Sequence, residues 1–281
     1  MAAGGVDLKE AGLEASVILG KFFLGSEHLH YGYWPDGLAV EIANLPRAQE
    51  EYCAFLLANL PPDARSVLDV GCGTGALAER LLGLGLEVDC VSPGRFLVRR
   101  ARARLGSRAR VFECRYEDFE PDRRYDTVLF AESFQYISLE AALAKTAALL
   151  GPGGHMMICD VFNGGLPGGA ALGGGHDLGA FRRAAELFSF EPVRDLDITD
   201  RVAKSLDLAN RLNAEVVGPI FRLFMEVLSA PRPLLARLLR WKYRAKIAKL
   251  ERKLLSGERN AENFRKHRSY RLMLYRRAAR D

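Results

Sequence analysis

Six short apolar runs, at 66–70, 86–91, 109–114, 125–131, 155–161 and 191–196, alternate with helically spaced segments at 75–84, 94–105, 139–150 and 176–188. Apolar runs this short, separated by helices, predict a doubly wound α/β fold with helices on both faces of a mostly parallel sheet. Ahead of the first strand lie a helical stretch over Leu8–Phe23, an aromatic and histidine-rich block from Gly25 to Pro35, and a helix over Pro46–Asn59. After Thr199 the pattern becomes helical for about 65 residues, with helices predicted at Val202–Leu212, Ile220–Leu228 and Leu234–Leu255. The segment Tyr270 to Arg277 then alternates like a strand. The chain thus divides into an N-terminal helical segment (1–60), an α/β core (61–199), a helical insertion (200–268) and a last core strand (269–281).

At 281 residues and 49% hydrophobic positions, the chain can bury a large core. It has no signal-peptide pattern and no run of 18 apolar residues, so a cytoplasmic protein is expected. Cys53, Cys72, Cys90, Cys114 and Cys159 are scattered without C-x-x-C spacing, which predicts reduced, partly buried thiols. The five histidines form no H-x-x-x-H or H-E-x-x-H pattern, so no metal site is expected. Residues 231–281 hold 17 Lys and Arg against 4 Asp and Glu, a net of +13; with +5 overall, residues 1–230 carry −8. A weakly acidic body carries a basic segment.

The first strand ends in Val67-Leu68-Asp69-Val70-Gly71-Cys72-Gly73-Thr74-Gly75, an acid followed by three glycines at alternate positions. Glycines admit positive φ and a close backbone approach to a ligand, and the helix that follows would aim its free N–H groups at an anionic or polar group. Read alone, this turn fits either a dinucleotide fingerprint or another nucleotide-like cofactor. The stretch with Asp69 resembles motif I of class I S-adenosylmethionine (SAM) dependent methyltransferases.

The resemblance, over roughly residues 60–200 and the last strand, implies a Rossmann-like seven-stranded sheet with an antiparallel last strand. An N-terminal helical lid and a substrate-covering helical insertion between strands six and seven go with it, and Gly151-Pro152-Gly153-Gly154 matches a turn common before the fifth strand. It implies SAM as cofactor, held by Asp69, Gly71, Cys72, Gly73 and Gly75. The ribose-gripping acid is expected at the end of strand two, where Cys90 stands. Either Asp89, one residue early, is re-aimed by a bulge, or Ser92 serves the ribose. Near the adenine, Tyr116 would pack on the ring and Glu117 accept from its amine, with a solvated turn as the alternative.

The strand-four block, Phe130 to Ile137, would face both methionine and acceptor through Glu132 and Gln135, with Tyr136 beside them. The segment Glu27 to Trp34 resembles the lid of small-molecule methyltransferases, those acting on tocopherols, sterols, methylamines and microbial natural products; Tyr31, Tyr33 and Trp34 would offer ring faces to the sulfonium. Tyr31 is assigned to the cofactor and Tyr33 to aligning the acceptor. A base is needed only if the acceptor must lose a proton, and His30, His176, Tyr31 and Glu132 are the candidates. His176 is expected at a helix start after a loop with seven glycines in Gly164–Gly175, either as base or as a surface cap.

The sequence therefore predicts methyl transfer from SAM to a small, apolar or amphiphilic metabolite. A non-catalytic SAM- or nucleotide-binding protein and an NAD(P)-dependent oxidoreductase are the alternatives, with an RNA methyltransferase less favoured because no RNA-binding module accompanies the charge. The basic amphipathic stretch Arg232–Arg268 is read either as a surface for an anionic ligand or membrane, or as a helix packing its apolar stripe over the sheet. A homodimer is compatible with the chain.

Overall fold

The computed structural model describes residues 8–164, 172–229, 241–242, 244–245 and 257–278. Its strands are β1 (Ser66–Val70), β2 (Glu87–Ser92), β3 (Arg110–Glu113), β4 (Tyr125–Ala131), β5 (Leu150–Asn163), β6 (His176–Asp177), β7 (Phe190–Asp197) and β8 (Arg268–Arg277). The sheet order is β3-β2-β1-β4-β5-β8-β7, with β6 pairing only with β5. Strands β1 to β5 run parallel, and β8 is antiparallel to both β5 and β7. This is the Rossmann-like sheet expected from the sequence, with one additional two-residue strand.

The helices are α1 (Leu8–Leu24), α2 (Leu45–Ala58), α3 (Ala76–Gly83), α4 (Arg95–Leu105), α5 (Leu139–Leu149), α6 (Leu178–Leu187), α7 (Thr199–Leu212), α8 (Gly218–Ser229) and α9 (Ala261–His267). Strand parity sorts the apolar side chains between two cores. Val67 and Val88 join Tyr52 and Leu56 of α2, Leu81 of α3, Val202 of α7 and Phe264 of α9 on one face. Leu68, Val128 and Phe130 pack with Ala142 and Leu143 of α5 and Phe181 of α6 on the other. Val17 of α1 packs on Phe96 and Leu97 of α4.

Three boundaries differ from the sequence reading. β5 begins at Leu150 rather than near His155, because Leu150 already pairs with Tyr125 and a register shift absorbs the Gly-Pro-Gly-Gly turn. Helix α6 begins at Leu178 rather than His176, because the Asp177 side chain caps it by accepting from the Ala180 N–H. Helices α7 and α8 run into one another through a π-helical turn at Asn213–Val217. The helix expected at Leu234–Leu255 lies almost wholly outside the described residues. So do residues 165–171 of the glycine-rich loop and most of the basic stretch.

Candidate functional site

Because β1 and β4 are neighbours, with Val70 opposite Phe130, the turns that follow them lie side by side at the carboxyl edge of the sheet. That edge is where open α/β sheets bind ligands. Gly71 has φ 77°, and a Cβ there would come within 2.5 Å of the Ser133 Cβ, so the two turns touch. Gly73 has φ 55°, but a Cβ there would meet nothing within 4 Å. Gly71 is thus required by the packing, whereas Gly73 leaves bare backbone facing open space. Gly75 precedes α3, and the thiol of Cys72 contacts that of Cys90.

Asp69 shares the face of Val67 and is 2% exposed. Its Oδ2 has no hydrogen-bond partner among the described residues, and burial raises its carboxyl to about 7. A buried acceptor without a partner costs free energy unless a ligand meets it. An unpartnered carboxylate oxygen beside bare glycine backbone fits the ammonium and carboxylate of an amino-acid moiety, as in the methionyl end of SAM.

Residues 25–34 form a strap across these turns. The Thr74 hydroxyl donates to the Glu27 carbonyl (3.2 Å), and the Glu27 carboxylate receives Lys21, Arg100 and Arg104. Arg104 also donates to the Thr74 carbonyl. Hydrogen bonds from Lys21, working against burial and joined by Arg104, hold the Glu27 carboxyl below its usual value. From α2, the buried amide of Gln49 donates to the carbonyls of His28 (3.3 Å) and His30 (2.9 Å). The Tyr31 N–H donates to Glu132 Oε1 at 2.8 Å.

Glu132 is one of two non-glycine residues with positive φ among those described, at 57°. A side chain held there costs roughly 1–3 kcal/mol, and such residues concentrate at functional sites. Its Oε1 also accepts from the Tyr270 hydroxyl at 2.8 Å, and Tyr270 contacts the Tyr52 hydroxyl at 2.9 Å. Burial, reinforced by Asp160 and eased by the bonds from Tyr270 and Tyr31, raises the Glu132 carboxyl to about 8. Asp160, at 0% exposure near the end of β5, accepts from the Gln135 backbone (3.1 Å) and amide (2.9 Å), and burial raises it to about 7. Glu132 and Gln135 are therefore brought together, each held by partners from other elements.

Several expected site residues lie elsewhere. Asp89 faces away from the glycine turn: no bulge re-aims it, and Arg110, Arg123 and the Tyr125 hydroxyl enclose its carboxylate at 2.7–3.0 Å. It therefore leaves the ribose site, while Ser92 shares the parity of Cys90 on the side of the turn. Burial raises the Asp89 carboxyl, but bonds from Arg110 and Tyr125 and the charge of Arg123 outweigh it, and the net shift is downward. Stability from this group is present above the unfolded pKa and lost as pH falls through the lower folded value. Asp89→Asn is expected to cost about 1–3 kcal/mol of stability, since it removes the buried charge that Arg110, Arg123 and Tyr125 share while Asp122 and Glu87 still pair with the two arginines, and to leave SAM affinity unchanged. Urea denaturation and SAM titration of the same variant check both halves.

Tyr116 is 3% exposed; its hydroxyl meets Thr146 Oγ1 at 2.8 Å and its ring meets Phe130 edge-on. It belongs to the core of the α5 face rather than to an adenine wall. Glu117 stays near the surface, paired with Arg115 at 2.9 Å. Tyr33 stacks on Phe55 at 5.0 Å, under the Arg201 guanidinium, and so anchors the strap instead of aligning an acceptor. Trp34 is 0% exposed and donates to Ser205 Oγ, so it offers no face to a sulfonium. His176 stands in β6, not at a helix start, with Nε2 3.2 Å from the Phe134 carbonyl. His30 has Nδ1 on the Tyr31 carbonyl and Nε2 on His28. Both imidazoles are thus engaged with neighbouring groups. Asp160, Tyr52, Tyr270 and Glu27 were missed; of these only Asp160 carried a local signal, an acid ending the apolar run Met156 to Cys159.

Residues 67–154 match a family model described as a methyltransferase domain. An uncharacterised methyltransferase of Mycobacterium tuberculosis is 35% identical over 97 residues, which is 34% of this chain and 40% of that protein. A ubiquinone biosynthesis O-methyltransferase of Bradyrhizobium sp. is 34% identical over 96 residues, 33% of this chain and 38% of the relative. These matches span about 40% of the relatives' length. In fold, the chain resembles the [4+2]-cyclase SpnF (TM-score 0.66, 18% identity, 96% of this chain and 97% of that one). It also resembles geranyl diphosphate C-methyltransferase from Streptomyces coelicolor (TM-score 0.66, 17% identity, 98% and 100%), solved with S-adenosyl-L-homocysteine.

Proposed function

We propose that the protein, whose residues 67–154 match a methyltransferase-domain family model, moves a methyl group from SAM to a small, largely apolar acceptor. Bound SAM would supply an electrophilic methyl on a sulfonium, open to in-line displacement. The observation that carries the reading is the pairing of two adjacent turns. One presents the unpartnered Asp69 Oδ2 and the bare Gly73; the other presents Glu132, strained and bonded to the strap above it.

Within this reading, Asp69 and residues 71–75 hold the methionyl end, the strap excludes water, and Gln135, fixed by Asp160, aligns the acceptor. Holding donor and acceptor in line supplies most of the acceleration such a displacement needs. Glu132 takes a proton from an acceptor that carries one on its attacking atom. Arg259 reaches the Tyr31 hydroxyl at the same mouth and offers a charge to an anionic group on the acceptor. The geranyl diphosphate C-methyltransferase from Streptomyces coelicolor is similar in fold, which agrees with an apolar acceptor that ends in anions.

Incubating the protein with methyl-labelled SAM and a fractionated metabolite extract, followed by mass spectrometry, tests the proposal. Label is expected in organic-soluble small molecules. Label confined to RNA or to protein contradicts it.

A further inference from the structure

Beside the site, between the strap and α2, His28, His30 and Cys53 bring Nδ1, Nε2 and Sγ within 4.8 Å of one another. We propose that this cluster binds a borderline divalent cation, zinc by its donor set, which clamps the strap to α2. His28 Nδ1 and His30 Nε2 are 3.0 Å apart, and Cys53 Sγ is 3.6 Å from His30 Nε2. Tetrahedral zinc, with Zn–N near 2.05 Å and Zn–S near 2.3 Å, places such donors about 3.3 and 3.6 Å apart.

His30 Nδ1 lies 2.8 Å from the Tyr31 carbonyl, and His28 Nε2 lies 3.1 Å from Glu50 Oε1; both partners are acceptors only. With one N–H aimed at each outer acceptor, the inner nitrogens present lone pairs to each other and to Cys53, the tautomer in which both rings can ligate one cation.

The outer contacts are those that orient metal-bound histidines, a carboxylate on one ring and a backbone carbonyl on the other. Binding replaces the Cys53 thiol proton, which leaves to solvent, so the site gains one metal–sulfur bond and loses one S–H bond.

The sequence reading found no metal pattern because the ligands follow an H-x-H spacing in extended chain and join a cysteine 23 positions after His30, on another element. Histidines two apart in extended chain point the same way. On α2, Gln49 holds the strap backbone while Cys53, one turn later, meets the rings.

The experiment is cobalt substitution of the full chain, prepared without a metal-binding tag, together with metal analysis of the zinc form. We expect one zinc per chain and, with cobalt, a thiolate-to-metal charge-transfer band that Cys53→Ser abolishes. A folded wild-type protein that retains no metal and shows no such band overturns the proposal, as does a band that survives Cys53→Ser. Should Cys53→Ser fail to fold, Glu50→Ala decides. Glu50 lies on the outside of α2, and its loss is expected to weaken zinc binding about 10- to 100-fold while the band persists. Unchanged zinc affinity in Glu50→Ala contradicts the site.

Discussion

Glu132→Gln is expected to slow methyl transfer about 10²- to 10⁴-fold, the range for removing a positioned general base, while SAM affinity changes little. Glutamine keeps the volume and an Oε1 that accepts from the Tyr31 N–H and the Tyr270 hydroxyl, so the fold and strap contact survive. What it removes is the site for the acceptor's proton. The expectation extends to pH. Burial raises the carboxyl to about 8 with Asp160 adding to it, so the base is the deprotonated form and the wild-type rate rises with pH toward a plateau. A bound sulfonium, opposite in charge, pulls the midpoint below that value. Because Glu132 and Asp160 interact, the midpoint belongs to the pair. Single-turnover rates from pH 5 to 10 for both proteins check this. A Glu132→Gln variant with the same rate and rising limb as the wild type removes Glu132 as the base.

Gly73→Val is expected to abolish SAM binding, a loss of at least about 100-fold or roughly 2.7 kcal/mol, in a protein that still folds. At φ 55° a branched side chain costs at least about 1–2 kcal/mol of stability. Nothing within 4 Å of a Cβ at Gly73 clashes, so the protein survives while the side chain occupies the ligand's place. Gly71→Val differs, because its Cβ drives into Ser133 and misfolding is the expected outcome. Circular dichroism melting with SAM titration separates the two. A folded Gly73→Val protein with wild-type affinity removes the turn from the account.

The sheet was legible because each element announced itself locally: apolar runs of strand length, helical spacing between them, and an acid–glycine turn at the one place where backbone must approach a ligand. Parity also placed Asp89 on the far face, and the structure shows why it sits there, as the hub of a cluster with Arg110, Arg123 and Tyr125. Aromatic residues were harder to read. Tyr33, Trp34 and Tyr116 look alike in sequence to residues that cover a ligand, yet each has a core or anchoring partner that only the tertiary fold supplies. The contacts that shape the acceptor side are long-range as well. Tyr31 meets Glu132 across 101 positions, and Tyr52 meets Tyr270 across 218. No local spacing encodes such pairs, so Glu132 was found through its strand-end position and Tyr270 was not found at all.

The most direct measurement of the central claim is calorimetric titration of the full chain with SAM, S-adenosyl-L-homocysteine and NADH. One SAM or S-adenosyl-L-homocysteine is expected to bind per chain, with the methionyl end meeting Asp69, and NADH is expected to give no heat. Saturable NADH binding with no response to SAM would contradict it.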